Sequence, residues 1–515
     1  SSLIEGDCIH MKKDSVVFYS ALIIMSVIVF FGIITPGVVE SITNQMQRFI
    51  TDTFGWYYLL TFSLIVLVCI YLFVSPVGKI KLGKQDEKPE FNRPTWIAML
   101  FSAGIGIGLI FYGAYEPLSH YAIDSPTGEL GTEQGIKDAL RYTFFHYGIH
   151  PWAVYGIVAM TIAYFGFRKG EISLISKTLR PIIGKHADGV TGNVIDIVAV
   201  ISTIMGVATS LGFGAIQING GLSFLFDIPR NLTTQTIIVI IVTILFLVSA
   251  LTGIGKGIKI LSNINMSLSL LLFLAVFFFG STLFTLNLMV NSIGGYFQNI
   301  IQMSFRIAPL NQEIRGWIND WTIFYWAWWI AWSPFVGLFI ARVSRGRSIR
   351  EFVTFVLLAP TIISIIWFTT FGSAAITTER SGVSISSLLP EESLFGVLET
   401  YPISMVLSIL TILIIVIFFV TSADSGTFVL GMMTSKGIQN PTRRIKMIWG
   451  VFLSLTALAL IYSGGLLALQ NTMIVAALPF SFIILLMAIS LIKSLRQEAK
   501  ELGMGRLRPV KNKKE

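Results

Sequence analysis

Five tryptophans fall within twelve residues of the run from Trp321 to Arg342, WTIFYWAWWIAWSPFVGLFIAR. At about 100° per residue on a helix, Trp321, Tyr325, Trp328, Trp332 and Phe335 share one face, with Trp329 at its edge and Trp326 well round the side. The face of an indole attracts a cation. A quaternary ammonium has no proton to donate, so stacked ring faces are the main way a protein can hold one specifically. An anchoring belt at a membrane interface is the competing reading. A belt needs rings only at the helix ends, however, and this run continues to mid-helix, where Ser333-Pro334 is expected to interrupt the backbone ladder.

Three further stretches carry chemistry of a matching kind. In Phe101-Ser-Ala-Gly-Ile-Gly-Ile-Gly-Leu-Ile-Phe-Tyr-Gly113, the glycines at 104, 106 and 108 lower helix propensity by about 1 kcal/mol each. Their i, i+2, i+4 spacing does not form one small-residue face, which predicts an unwound stretch offering free carbonyls and N–H groups. Glu116-Pro117 is expected to end that helix near the outer surface. His146-Tyr-Gly-Ile-His-Pro-Trp-Ala-Val-Tyr155 brings Tyr147, Trp152 and Tyr155 close together around Pro151. His146 and His150 have a metal-ligand spacing, but Pro151 biases His150 out of helical geometry and the sequence places no acidic or Cys partner nearby. Hydroxyls gather at Ser202, Thr203, Thr209 and Ser210 around Gly206, and again in Thr421-Ser-Ala-Asp-Ser-Gly426. Asp424 is the most conspicuous ionisable residue at membrane depth, functional by default, with capping of freed backbone N–H groups as its structural alternative.

The elements that must position these residues are membrane helices. Of 515 residues 54% are hydrophobic and only 13% charged, against about 25% charged in a soluble domain. Runs long enough to cross about 30 Å of hydrocarbon occur near 16–37, 55–76, 95–118, 143–166, 192–224, 233–253, 261–286, 319–341, 352–375, 403–433, 445–464 and 470–492, which makes twelve spans. Placing both ends of the chain on one side collects all but seven of the 37 Lys and Arg there; the exceptions are Arg48, Lys137, Arg141, Arg230, Arg306, Arg315 and Arg380. By the positive-inside rule both termini are cytoplasmic. The net charge of +9 is thus a topology signal and calls for no nucleic acid, while the basic tail, 493–515, is solvated or touches anionic lipid. Cys8 and Cys69 imply no disulfide framework. Residues 1–10 read as a leftover of cloning rather than a targeting signal, and 11–94 as a short tail and spans one and two. The segment 287–318 reads as an amphipathic helix on the outer surface.

With the first two spans set aside, ten remain, in two sets of five at 95–286 and 319–492. An odd number per set inverts the second relative to the first. Each set is expected to open with an interrupted helix, and the third member of each is studded with hydroxyls. Paired broken helices at matching positions point to a transporter with its site at the repeat interface. The fold expected is therefore an all-α polytopic membrane protein with two inverted five-helix repeats, LeuT-like, preceded by two extra helices.

At these residues the chain resembles the betaine/choline/carnitine transporter family, and within it the glycine betaine carriers. The resemblance runs from Met11 to the tail, on FSAGIGIGLIFYGAYEPL (101–118), FHYGIHPWAVYG (145–156), MGVATSLGFGAIQI (205–218), the run from Trp321 to Phe352 and TSADSG (421–426). It implies alternating access, often a homotrimer, and an aromatic box falling on Tyr147, Trp152, Tyr155 and Trp329, with Trp328 and Trp332 along the pathway. Tyr147 stands where many members have Trp. It also implies a sodium site from the carbonyls of Ser102, Ile105 and Phe418 with the hydroxyls of Thr421 and Ser422. A second site would use Thr203 and Phe335, but Val207 stands where a hydroxyl is needed, leaving it incomplete unless Thr209 or Ser210 substitutes. Gly108 lacks the acidic side chain found there in proton-coupled choline carriers. The function implied is sodium symport of a zwitterionic betaine for osmoprotection across a bacterial plasma membrane, with no cofactor beyond Na⁺ as coupling ion. The betaine carboxylate would meet the N–H groups of Gly104, Gly106 and Gly108. The alternatives are a proton-coupled choline carrier, a carnitine-type exchanger and, in another class, a non-transporting osmosensor. No nucleophile–base or metal motif suggests an enzyme, and an interrupted aromatic site does not suit a channel.

Overall fold

The computed structural model describes residues 15–251 and 255–504. Residues 1–10, the Met11-Lys12-Lys13 start and the tail from 505 onward lie outside that range. The described residues are helical and contain no strand beyond one isolated bridge between Lys81 and Ser348. In chain order the long helices are α1 (Ser15–Ile34), α2 (Pro36–Val74), α3 (Arg93–Gly104), α4 (Ile107–Ala122), α5 (Glu133–Tyr147), α6 (Ile149–Ala163), α7 (Val190–Phe226), α8 (Leu232–Leu251) and α9 (Gly255–Phe279). They continue as α10 (Thr282–Phe305), α11 (Gln312–Ile318), α12 (Phe324–Val343), α13 (Ile349–Arg380), α14 (Ser404–Met433), α15 (Arg443–Tyr462) and α16 (Leu466–Glu501). Among the described residues, 11 helices are long and apolar enough to span a bilayer, or 12 when the bent pair α3 and α4 counts as one. Helices suit this setting because each closes its own backbone hydrogen bonds, which hydrocarbon cannot do for it. Phe30, Leu64, Ile244, Leu270 and Phe278 stay exposed on α1, α2, α8 and α9, the faces that lipid would cover.

Polar side chains define where helices start. Asn92 accepts from Thr95 N at 3.0 Å, Thr132 from Gly135 N at 3.0 Å and Ser348 from Glu351 N at 3.2 Å, each satisfying an N–H that a helix start leaves free. Ser348 and Glu351 have the spacing of a capping box.

Four expectations need correction. The second span begins at Pro36, not near 55; proline in a first turn needs no donor, and the 39-residue helix reaches about 58 Å at 1.5 Å per residue, longer than a bilayer core. The 287–318 segment is two helices: α10, with Val290 and Ile301 exposed and Tyr296 and Met303 buried, then α11 leading into α12. The third span does not stop at Glu116-Pro117. It continues to Ala122, with Gly372 of α13 leaving room for the Pro117 ring. Finally, Ser333-Pro334 does not interrupt the eighth span, because α12 runs through it. Pro334 cannot donate to the carbonyl of Ile330, and Ser333 Oγ donates to that carbonyl instead, at 2.7 Å.

Near the centre, α7 crosses α12 at very close range. An added Cβ at Gly206 would sit 3.1 Å from the carbonyl carbon and oxygen of Ala331, and backbone cannot turn aside as a side-chain tip can. Gly206→Leu is therefore expected to force the helices apart and to cost about 1–3 kcal/mol, measured as a lower midpoint of thermal unfolding in detergent. An unchanged midpoint would show the crossing to be loose.

Candidate functional site

The predicted break in the third span lies at Ile105 and Gly106, where the chain turns extended and the axis bends by 66° between α3 and α4. Gly104 closes α3, Gly106 caps α4 and Gly108 lies in its first turn. Gly106 has φ −164°, extended backbone open to any residue. The glycine at 108 is required for a different reason: a Cβ there would lie 2.8 Å from the Trp328 ring.

The fourth span breaks at Gly148, between α5 and α6. His150 and Pro151 both sit inside the first turn of α6, so His150 is helical, contrary to expectation; proline there loses no bond, since first-turn N–H groups have no intrahelical partner. This break places Tyr147, Trp152 and Tyr155 against α12. The Tyr147 and Trp329 ring centroids are 5.2 Å apart and Tyr155 and Trp329 6.2 Å, both at 71°; Trp152 and Tyr155 are 5.1 Å apart. Trp328 stacks on Trp329 at 4.8 Å, and Trp332 is 6.4 Å beyond. The Trp329 indole N–H donates to the His146 carbonyl at 2.8 Å, which locks its ring to the broken helix. Phe368 of α13, 4.3 Å from Tyr147, joins the cluster without any signal in the sequence, because nothing in its own helix marks which neighbour that ring will meet.

The rings enclose a cavity of about 30 Å³, which Gly106 and Gly108 also line; that is room for a water. Two of its lining residues carry a buried polar atom with no partner, Tyr155 OH and Trp328 Nε1. Ala103, Gly106 and Trp332 are shared with a larger vestibule of about 510 Å³. Ser102, Ile105, Phe335, Phe418, Thr421 and Ser422 all face that vestibule. Its far wall carries Lys259, Arg342 and Lys446, so it lies toward the side of the basic loops. Thr421 Oγ1 donates to the carbonyls of Ile417 at 3.0 Å and Phe418 at 3.3 Å.

Thr203 is not part of that wall. Its hydroxyl donates to Ala199 O at 2.8 Å and lies 3.9 Å from Met433 Sδ, Val207 packs toward Gly426, and Ser210 donates to Gly206 O. Thr209 Oγ1 is buried without a partner. Asp424 lines the vestibule on an unbroken α14, so no freed N–H is present for it to cap.

A polar network missed in the sequence lies on the opposite side of the box. Glu116 is fully buried and receives Tyr325 OH on one oxygen; its other oxygen faces His120 Nε2 at 2.9 Å and His146 Nδ1 at 2.8 Å. His146 therefore has the acidic partner that the sequence did not supply. His150 points away, to Ser304 at 2.8 Å, so the two histidines form no shared ligand pair. The i, i+4 spacing of Glu116 and His120 was the available signal. Beyond the network, Tyr115, Trp321 and Asp124 line a recess of about 250 Å³, where burial raises the Asp124 carboxyl above its usual value.

A profile of the BCCT, betaine/carnitine/choline family transporter, group matches residues 16–500. The chain is 56% identical over 493 residues to the glycine betaine transporter OpuD of Bacillus subtilis (strain 168), covering 96% of each chain. It is 44% identical over 490 residues to the ectoine/hydroxyectoine transporter of Virgibacillus pantothenticus, covering 94% of this chain and 97% of that one. Against the glycine betaine transporter of Acinetobacter baylyi the identity is 40% over 491 residues, 94% of this chain and 74% of the other.

Proposed function

This chain belongs to the betaine/carnitine/choline transporter family, multi-pass membrane transporters and not enzymes, and on that premise we propose that it imports glycine betaine by sodium symport and alternating access. The observation that carries the reading is the adjacency of two unlike sites: a closed set of ring faces suited to trimethylammonium, opening onto a vestibule whose wall presents hard, neutral oxygens suited to sodium. In the proposed fold α3 to α9 and α12 to α16 are the two inverted repeats, α1 and α2 precede them, and three chains assemble. Both termini are cytoplasmic, as the side of the basic loops supports.

Betaine's trimethylammonium lies among Tyr147, Trp152, Tyr155 and Trp329, displacing the small void. Its carboxylate meets the first-turn N–H groups of α4, where the helix dipole is positive, and the partnerless Trp328 N–H and Tyr155 O–H. Sodium sits between Ser102, Ile105, Phe418, Thr421 and Ser422, bridging the broken third span to α14. A hydroxyl that donates its proton to a carbonyl still offers lone pairs, so the bonds of Thr421 are compatible with this role. Methyls and a thioether around Thr203 are poor company for sodium, which favours one ion site over two.

Gly108→Ala pushes the Trp328 ring off its rotamer, about 0.5–1.5 kcal/mol, and is expected to raise the KM for uptake several-fold at near-normal expression. An unaltered KM would mean the ring has free room. A second reading, an ectoine-type zwitterion, is favoured by the 44% identical relative and is separated by competition with labelled betaine. The deciding experiment is labelled-betaine uptake into proteoliposomes with and without an inward sodium gradient; absence of accumulation under the gradient, with no counterflow, leaves an osmosensor rather than a carrier.

A further inference from the structure

Glu116 is a buried carboxylate two of whose neighbours, Tyr325 and His146, lead back to the aromatic box. Tyr147 OH donates to Tyr325 OH at 3.5 Å, and Tyr325 OH in turn donates to Glu116. Trp317 Nε1, which can only donate, points at His120 Nδ1 at 3.4 Å; that nitrogen is therefore the acceptor, and the His120 proton lies on Nε2, aimed at Glu116. His146 Nε2 faces the Thr322 hydroxyl at 2.8 Å; with that hydroxyl donating to Nε2, the His146 proton lies on Nδ1, aimed at Glu116. In that arrangement the carboxylate receives three donors and offers none, the pattern of the charged form. It also fixes two of the four box rings: the backbone carbonyl of His146 holds Trp329, and Tyr325 stacks on Trp329 at 5.7 Å and meets Tyr147 edge-on at 5.1 Å.

The position of this charge is as informative as its contacts. Glu116 lies eight residues beyond Gly108 on the same helix, about 12 Å along its axis. One end of the box therefore faces a helix N-terminus, which is positive, and the other end is backed by an anion. A zwitterion lies in this field with its ammonium toward Glu116 and its carboxylate toward Gly108. The opposite placement sets like charges together at both ends.

We infer that Glu116 is a positioning and specificity-determining residue, which holds the box rings and selects the orientation of a zwitterion through its negative charge. The inference rests on the betaine reading above. A unit charge acting across roughly 10 Å at an effective dielectric of about 20 changes affinity on the order of tenfold. The test is binding to the full-length purified protein, followed by intrinsic tryptophan fluorescence. The probes are glycine betaine and its carbon isostere 3,3-dimethylbutanoate, which keeps the shape and the carboxylate and lacks the positive charge.

Glu116→Gln is expected to weaken betaine about tenfold without weakening the isostere, and Glu116→Asp, which keeps the charge, to restore betaine to within about threefold of wild type. The inference is overturned if Glu116→Gln leaves betaine unchanged, if betaine and isostere weaken together, or if Glu116→Asp and Glu116→Gln weaken betaine equally. If wild-type protein binds no betaine, it is the proposed function that fails, independently of Glu116.

Discussion

Trp329→Ala is expected to lower betaine uptake at least tenfold. The indole is 4% exposed and faces Tyr147 and Tyr155 across the small cavity, so a trimethylammonium held there is desolvated, the condition under which a cation–π contact reaches about 2 kcal/mol. Alanine also frees the His146 carbonyl, whose partner is the Trp329 N–H, and leaves a buried acceptor unmade at about 1–3 kcal/mol. The two losses add in the bound state. Trp329→Phe separates them: it retains a ring face without the donor, and uptake should fall between alanine and wild type. The measurement is initial uptake rate against betaine concentration in proteoliposomes, with protein per liposome held equal. Near-normal transport by Trp329→Ala would remove the box from the mechanism.

The second large effect concerns the ion. Thr421→Ala/Ser422→Ala deletes both side-chain oxygens of the proposed sodium site and leaves only carbonyls. The concentration of sodium giving half-maximal uptake should rise at least tenfold, about 1.4 kcal/mol, while uptake at saturating sodium falls less. Because ion and betaine favour the same closed arrangement, linkage requires that the double variant also bind betaine more weakly at low sodium. The hydroxyls face the vestibule of about 510 Å³ and each helix position tolerates alanine, so folding should survive. Unchanged sodium dependence would rule out this set of ligands. Thr203→Ala provides the contrast: with its hydroxyl bonded inside its own helix at 2.8 Å, sodium dependence should not move.

What the residues already said was local. Apolar runs and the separation of loops rich in Lys and Arg from loops poor in them read out the spans, since length and hydropathy are properties of the chain itself. The glycine run predicted a break at 104–108 because propensity is summed over neighbours, and the break is at Ile105 and Gly106. The clustering of Tyr147, Trp152 and Tyr155 followed from spacing around Pro151. Where the same local logic was applied to Pro334 and to Glu116-Pro117 it failed: Ser333 Oγ repairs the first gap, and the room left by Gly372 admits the second. A proline breaks a helix only when nothing nearby satisfies what it leaves open.

The sequence by itself determined that this is a helical membrane protein and which helices carry ring faces and oxygens; composition and period suffice for that. Only the tertiary structure decided that Phe368 joins the box, that Thr203 faces a thioether rather than the vestibule, and that Glu116, His120 and His146 close on one carboxylate beside Tyr325. Those include meetings between helices more than two hundred residues apart, fixed by close crossings such as Gly206 on Ala331, and no periodicity within one segment encodes which neighbour its outward face will meet.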